Sequence, residues 1–220
     1  MAAREHHDAV ADVRRDQMLA AASTLIAERG FSDTRIADVA KRVGASPALV
    51  IYYFGTKDSL LTEALRWSER SFSAAAEEML KSTEKLRDRL EVLLDWNLVA
   101  DKQPDVAGDW GLWFDLWAQA FRHPEVKKDR IELDQRWRDT IAQVVRDGQA
   151  AGEIGRSVDA DAFAITFSAL LDGLSIQVAL DDPVVDAGRA FSIAMAFAAR
   201  DLGVGWRPRR TTASGRARAR

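Results

Sequence analysis

Cysteine is absent from this 220-residue chain, histidine occurs three times and proline five. Without cysteine there can be no disulfide, no thiolate nucleophile and no cysteine-ligated metal. Two of the three histidines, His6 and His7, are neighbours on a polar N-terminal stretch, so a catalytic triad has almost nothing to draw on. There is no G-x-S-x-G elbow, no phosphate-binding glycine loop and no H-E-x-x-H. No catalytic residue, metal or cofactor is therefore expected, and an enzyme with an aromatic, acid-lined pocket is the weaker competing class. No apolar run approaches the roughly 20 residues that span a bilayer. The segment MAAREHHDAVADVRRD lacks the apolar core of a signal peptide. The expectation is a cytoplasmic protein with no membrane partner.

What is present allows a sizeable core, since 47% of the residues are hydrophobic. The net charge is −3, which argues against indiscriminate coating of nucleic acid. Six arginines and no acid lie between Arg207 and Arg220, so residues 1–206 carry −9. Residues 1–58 balance eight Lys/Arg against eight Asp/Glu, which places the acidity downstream. A reader of DNA needs only a local basic face, here Arg35, Lys41, Arg42 and Lys57.

Helical periodicity runs through the chain and strand-like alternation is missing, so the expected fold is all-α with about nine helices. Residues 1–11 read as a disordered arm, 12–57 as a three-helix DNA-binding domain, 58–206 as a helical ligand-binding and dimerisation domain, and 207–220 as a disordered basic tail. Within the first domain, Ile36, Val39, Ala40 and Val43 form a two-turn apolar stripe. Thr34 is placed to cap that helix and Gly44 to end it. Ser46 then serves as N-cap with Pro47 at the first helical position, and Leu49, Val50, Tyr52, Tyr53 and Phe54 follow. Gly55-Thr56 breaks this second helix, and Lys57 opens a third that extends to about Lys81. Two short helices around a tight turn form a helix-turn-helix, whose second helix is placed to enter a major groove.

The stretch GFSDTRIADVAKRVGASPALVIYYFGTKDSLL resembles the DNA-binding signature of the TetR/AcrR family of transcriptional regulators, without gaps. The resemblance covers about residues 13–65. That family commonly has a tyrosine where Ile51 stands; here the aromatic pair follows as Tyr52 and Tyr53. It implies a double-stranded DNA operator, a homodimer and a repressor released by a small-molecule effector. Ser46, Pro47, Ala48 and Leu49 are then expected near base edges, where small apolar groups read thymine methyls. Thr34, Arg35, Tyr52, Tyr53 and Lys57 are expected on the phosphate backbone.

Downstream, WGLWFDLWAQAF places Trp110, Trp113, Trp117 and Phe121 at helical spacing with Phe114 beside them. Such a stripe can be core. Seven tryptophans and the nearby Asp95, Asp109 and Asp115 equally suit a site for a cation or a flat amphipathic ligand, with Trp96 on the neighbouring helix. LWFDLWAQAFRHPEV and LLDGLSIQVALDD are similar to the ligand domain of the family's BetI-type branch, which implies choline-like quaternary amines. A regulator controlled by a protein partner, with the rings as plain core, is the alternative. The last two helices are apolar on more than one face and need covering from outside. Phe163, Phe167, Leu170, Leu174, Val178, Phe191 and Met195 are the expected dimer interface, with Ala169, Gly173 and Ser175 allowing close approach. The basic tail can add nonspecific phosphate attraction.

Overall fold

The computed structural model describes residues 2–98, 110–122 and 124–206. The expected loop at Gln103-Pro104-Asp105, Asp109, His123 and the tail 207–220 lie outside the described residues. Nine helices and no strand occur among those described. They are α1 (Ala2–Arg29), α2 (Ile36–Arg42), α3 (Pro47–Phe54), α4 (Lys57–Lys81), α5 (Leu86–Leu98), α6 (Trp110–Ala120), α7 (Pro124–Ala150), α8 (Ala160–Ala179) and α9 (Ala187–Asp201). The expected arm is corrected, because α1 starts at Ala2. Neither glycine nor proline interrupts residues 2–29, so propagation costs little once the turn around Val13 exists.

Packing divides the chain into two units. The first comprises residues 1–84 and 99–140, the second residues 85–98 and 141–220. The core of the first unit joins Met18, Leu25 and Ile26 of α1, Val39 of α2, Val50 and Phe54 of α3, and Leu60 and Leu61 of α4. Leu112 and Leu116 of α6 and Val126 and Leu133 of α7 complete it. Burying each such leucine contributes about 1.5–3 kcal/mol. Small residues let α1 and α4 cross closely, and the Ser23 hydroxyl donates to Ala64 O at 3.0 Å.

In the second unit, α5 lies against both α8 and α9. Phe163 and Phe167 stack at 5.1 Å, and each also stacks on Phe197. The buried Ser175 hydroxyl donates to Asn97 Oδ1 at 2.5 Å. By length and composition alone, α8 could cross a membrane, contrary to the reading of the sequence. Its apolarity is accounted for on one side by Phe163, Phe167, Leu171 and Leu174, all buried in the chain's own core.

That burial also narrows the expected dimer face. Phe163, Phe167, Leu174 and Met195 are buried, and Leu170, Val178 and Phe191 are half-buried. Ser175 is occupied with Asn97. A helix apolar all round turns its bulkiest side chains inward, and the remaining side carries the small ones. Ile165, Ala169 and Gly173 of α8 and Ile193 and Ala196 of α9 are exposed, and a Cβ added at Gly173 would meet nothing within 4 Å.

Candidate functional site

The turn between α2 and α3 is built as its residues dictate. Gly44 adopts φ +62°, where a Cβ would be strained. Ala45 N donates to Ala40 O at 2.8 Å, closing the end of α2. Ser46 caps α3, its Oγ accepting from Leu49 N at 3.2 Å, with Pro47 at the first position. Gly55 at φ +73° ends α3, and Thr56 caps α4 by accepting from Ser59 N at 3.1 Å.

Along α3, Val50 and Phe54 are buried, one turn apart. Ser46, Pro47, Ala48, Ile51 and Tyr52 face outward, and Leu49 and Tyr53 are half-buried. The Tyr52 and Tyr53 rings meet edge-on at 5.7 Å. Ile51, which the sequence reading passed over as a contact, is 48% exposed beside Ala48 and Tyr52. Spacing alone could have found it, because positions 48, 51 and 52 share one face.

Arg35 and Lys41 are exposed at the two ends of α2 and carry no ion pair among the described residues. Arg42 is different: it pairs with Glu28 at 2.8 Å, a hydrogen bond that raises the guanidinium pKa and lowers that of Glu28. The Lys57 ammonium donates to Ser32 O at 2.7 Å, leaving two further donors. Thr34 is corrected. It is fully buried, its hydroxyl donates to Gly30 O at 2.8 Å, and α2 starts after Arg35 without a side-chain cap. A hydroxyl that can bond back four residues need not cap forward, and a buried one cannot meet phosphate.

The aromatic helix α6 also departs from the reading of a single stripe. Its buried face is Leu112, Leu116 and Gln119. Trp110, Phe114 and Trp117 gather on the half-exposed side, with centroids 6.0–6.2 Å apart. Trp113 belongs to a separate ring group, 5.9 Å from Phe72, which lies 5.8 Å from Trp137. Phe121 is 93% exposed and contacts none of these rings. Trp96 is half-buried on α5, in the second unit.

Two groups near the Trp113–Phe72–Trp137 rings were not singled out from sequence. The Trp137 indole N–H is buried and has no partner among the described residues. Asp134 lies three residues before it on α7, hence on the same face. Burial raises the Asp134 carboxyl pKa against the opposing pull of Arg130 and Arg138. Asp115, expected beside the rings, instead directs its carboxylate to the backbone and accepts from Phe31 N at 2.7 Å. No group of three potential metal ligands occurs among the described residues.

Residues 18–64 match the bacterial regulatory proteins of the tetR family, and residues 86–203 match the BetI-type transcriptional repressor C-terminal domain. A BetI regulator from Stenotrophomonas maltophilia is 33% identical over 128 residues, 58% of this chain and 64% of that protein. BetI 1 from Chromohalobacter salexigens is 26% identical over 86% of this chain and 91% of its own length. A transcriptional regulator from Saccharomonospora viridis, solved in complex with choline, superposes with TM-score 0.74. It is 31% identical, over 85% of this chain and 95% of that one. With both halves of its folded body matched, the chain belongs to the TetR family of bacterial transcriptional regulators and carries a BetI-type C-terminal domain.

Proposed function

We propose that this protein is a homodimeric repressor that leaves a palindromic operator when an organic cation binds its aromatic helix. The observation that carries the reading is α3. An eight-residue helix that is apolar yet exposes Pro47, Ala48, Ile51 and Tyr52 has an unpartnered outer face of groove-filling size. Arg35, Lys41 and Lys57 flank it with positive charge for phosphate. Residues 12–57 supply the DNA contacts in this reading, with 58–206 carrying the effector and dimer surfaces. A DNA-bound regulator of this kind works in the cytoplasm.

The effector class rests on the rings and on the choline complex of the S. viridis regulator. Trp113, Phe72 and Trp137 offer π-faces to a quaternary ammonium, and Asp134, ion-paired with Arg130 at 2.7 Å, adds a carboxylate shared with that arginine. The Trp137 N–H is a donor for an oxygen on the same molecule. Trp110, Phe114 and Trp117 form a second ring group on α6. Ile165, Ala169, Gly173, Ile193 and Ala196 form the dimer face, because two half-sites require two reading heads. Effector binding shifts the DNA equilibrium only by its differential affinity for the two arrangements.

The test is a fluorescence-anisotropy titration on a duplex selected from a random pool, with and without choline. Dissociation at choline concentrations that also change tryptophan emission supports the reading. Binding to no duplex rejects the regulator; release by neutral lipophiles but not choline rejects the effector class.

A further inference from the structure

The turn from Gly30 to Arg35 joins α1 to the helix-turn-helix and is held by groups from far along the chain. Gly30 N donates to Ile26 O at 2.7 Å, and Gly30 O accepts from the Thr34 hydroxyl at 2.8 Å. Both bonds are local. The other two are not: Ser32 O accepts from Lys57 Nζ of α4 at 2.7 Å, and Phe31 N donates to Asp115 Oδ2 of α6 at 2.7 Å. Gly30 sits at φ +85°, and a Cβ there would come within 3.3 Å of the same carboxylate oxygen. The carboxylate is thus seated directly on the bare backbone of the turn.

Asp115 shares helix α6 with the rings and is their neighbour in sequence. Phe114 precedes it, and Trp113 and Trp117 lie two residues to either side. Leu112, three residues before Asp115 and so on its face, and Leu116 beside it seat α6 in the core that contains Val39 and Val50 of the helix-turn-helix. A rotation or slide of α6 therefore has a short, charged connection to the turn from which α2 starts. We infer that Asp115 is a positioning residue that transmits the state of the aromatic helix α6 to the reading head through the Phe31 amide. The inference deepens the proposed effector response and rests on it for its biological use, but its physical content needs no effector.

Hydrogen exchange on the full-length protein tests it. Asp115→Ala is expected to speed exchange across residues 30–54 roughly tenfold or more, the size of losing one charge-assisted hydrogen bond. Protection in α8 and α9 stays at the wild-type level. Asp115→Asn, whose carboxamide oxygen can accept the same N–H, restores most of the protection. Transmission is read with Trp117→Ala, which perturbs the half-exposed rings without a ligand. It changes exchange at residues 30–54 in the wild-type background and has at most a twofold effect in the Asp115→Ala background. Unchanged exchange in Asp115→Ala, loss spread equally over every helix, or a Trp117 effect that ignores Asp115 would each overturn the inference. Choline binding is measured separately by tryptophan emission. If choline does not bind, the effector class falls while the exchange results still judge Asp115.

Discussion

Thr34 shows how one side chain can satisfy two sequence rules and obey only one. The hydroxyl suited a cap or a phosphate contact, yet it is buried and bonded to the carbonyl of Gly30. Thr34→Val should lower stability by about 1–2 kcal/mol through the unsatisfied carbonyl. The DNA affinity of the folded fraction should be unchanged, as read by urea unfolding beside anisotropy; a large affinity loss would reinstate the phosphate contact. Trp137 is the converse case, a residue the periodicity left unremarked because indoles fill cores so often. Trp137→Phe keeps an aromatic face and deletes the N–H that has no partner among the described residues. Choline affinity should fall about three- to tenfold, the value of one modest hydrogen bond, with little change in stability. The residues read correctly in the turn between α2 and α3 were those whose role is set by sequence neighbours, such as Ser46 as cap and Gly44 as helix end. Asp115 could not be read, because its partner lies 84 positions away.

At the scale of the element, boundaries were legible where a cap or breaker sits, and α4 runs from Lys57 to Lys81 as the spacing indicates. Which face of a helix turns inward was less legible. On α6 the leucines won the core from the tryptophans, and on α8 the phenylalanines left glycine and alanine outside. Close approach of α5 and α7 yields a further prediction. A Cβ at Gly148 would sit 2.9 Å from Leu86 Cδ2, and Leu86 is only 1% exposed, so it has nowhere to swing. Overpacking of about 1–3 kcal/mol should outweigh the roughly 1 kcal/mol that alanine gains in helix propensity. Gly148→Ala should therefore unfold at lower urea; a stabilised variant would show that the pair can relax. The same two helices carry the Arg89–Asp147 pair at 2.5 Å. Burial pushes the Asp147 carboxyl up, but hydrogen bonds from Arg89 and Gln143 together hold it below its ordinary value of 3.8. A lowered carboxyl stabilises the fold above that ordinary value, and the contribution vanishes as pH falls through the lowered one. Unfolding measured between about pH 2 and pH 6 should show wild type losing more stability on acidification than Asp147→Asn. Parallel curves would remove Asp147 from the acid response.

For the whole molecule, the all-α class followed from periodicity, whereas the division into packed units did not. The first unit draws on residues 99–140 as well as 1–84, and such pairing across sequence leaves no local mark. The dimer prediction belongs at this scale. Ile165 is 59% exposed on the small-residue side of α8. Ile165→Glu should shift sedimentation toward a monomer and weaken operator binding at least about tenfold, since paired half-sites lose their linkage. A variant that remains dimeric would move the interface elsewhere.

The shared core of the first unit has a consequence for engineering. Leu112, Leu116, Val126 and Leu133 cover the same interior as the helix-turn-helix pair α2 and α3. A chimera that grafts residues 1–57 onto a foreign sensor would expose that interior unless the recipient supplies a matching leucine surface. With α3 as the proposed reading helix, operator preference is therefore simpler to change by rewriting its outward positions than by transplanting the head.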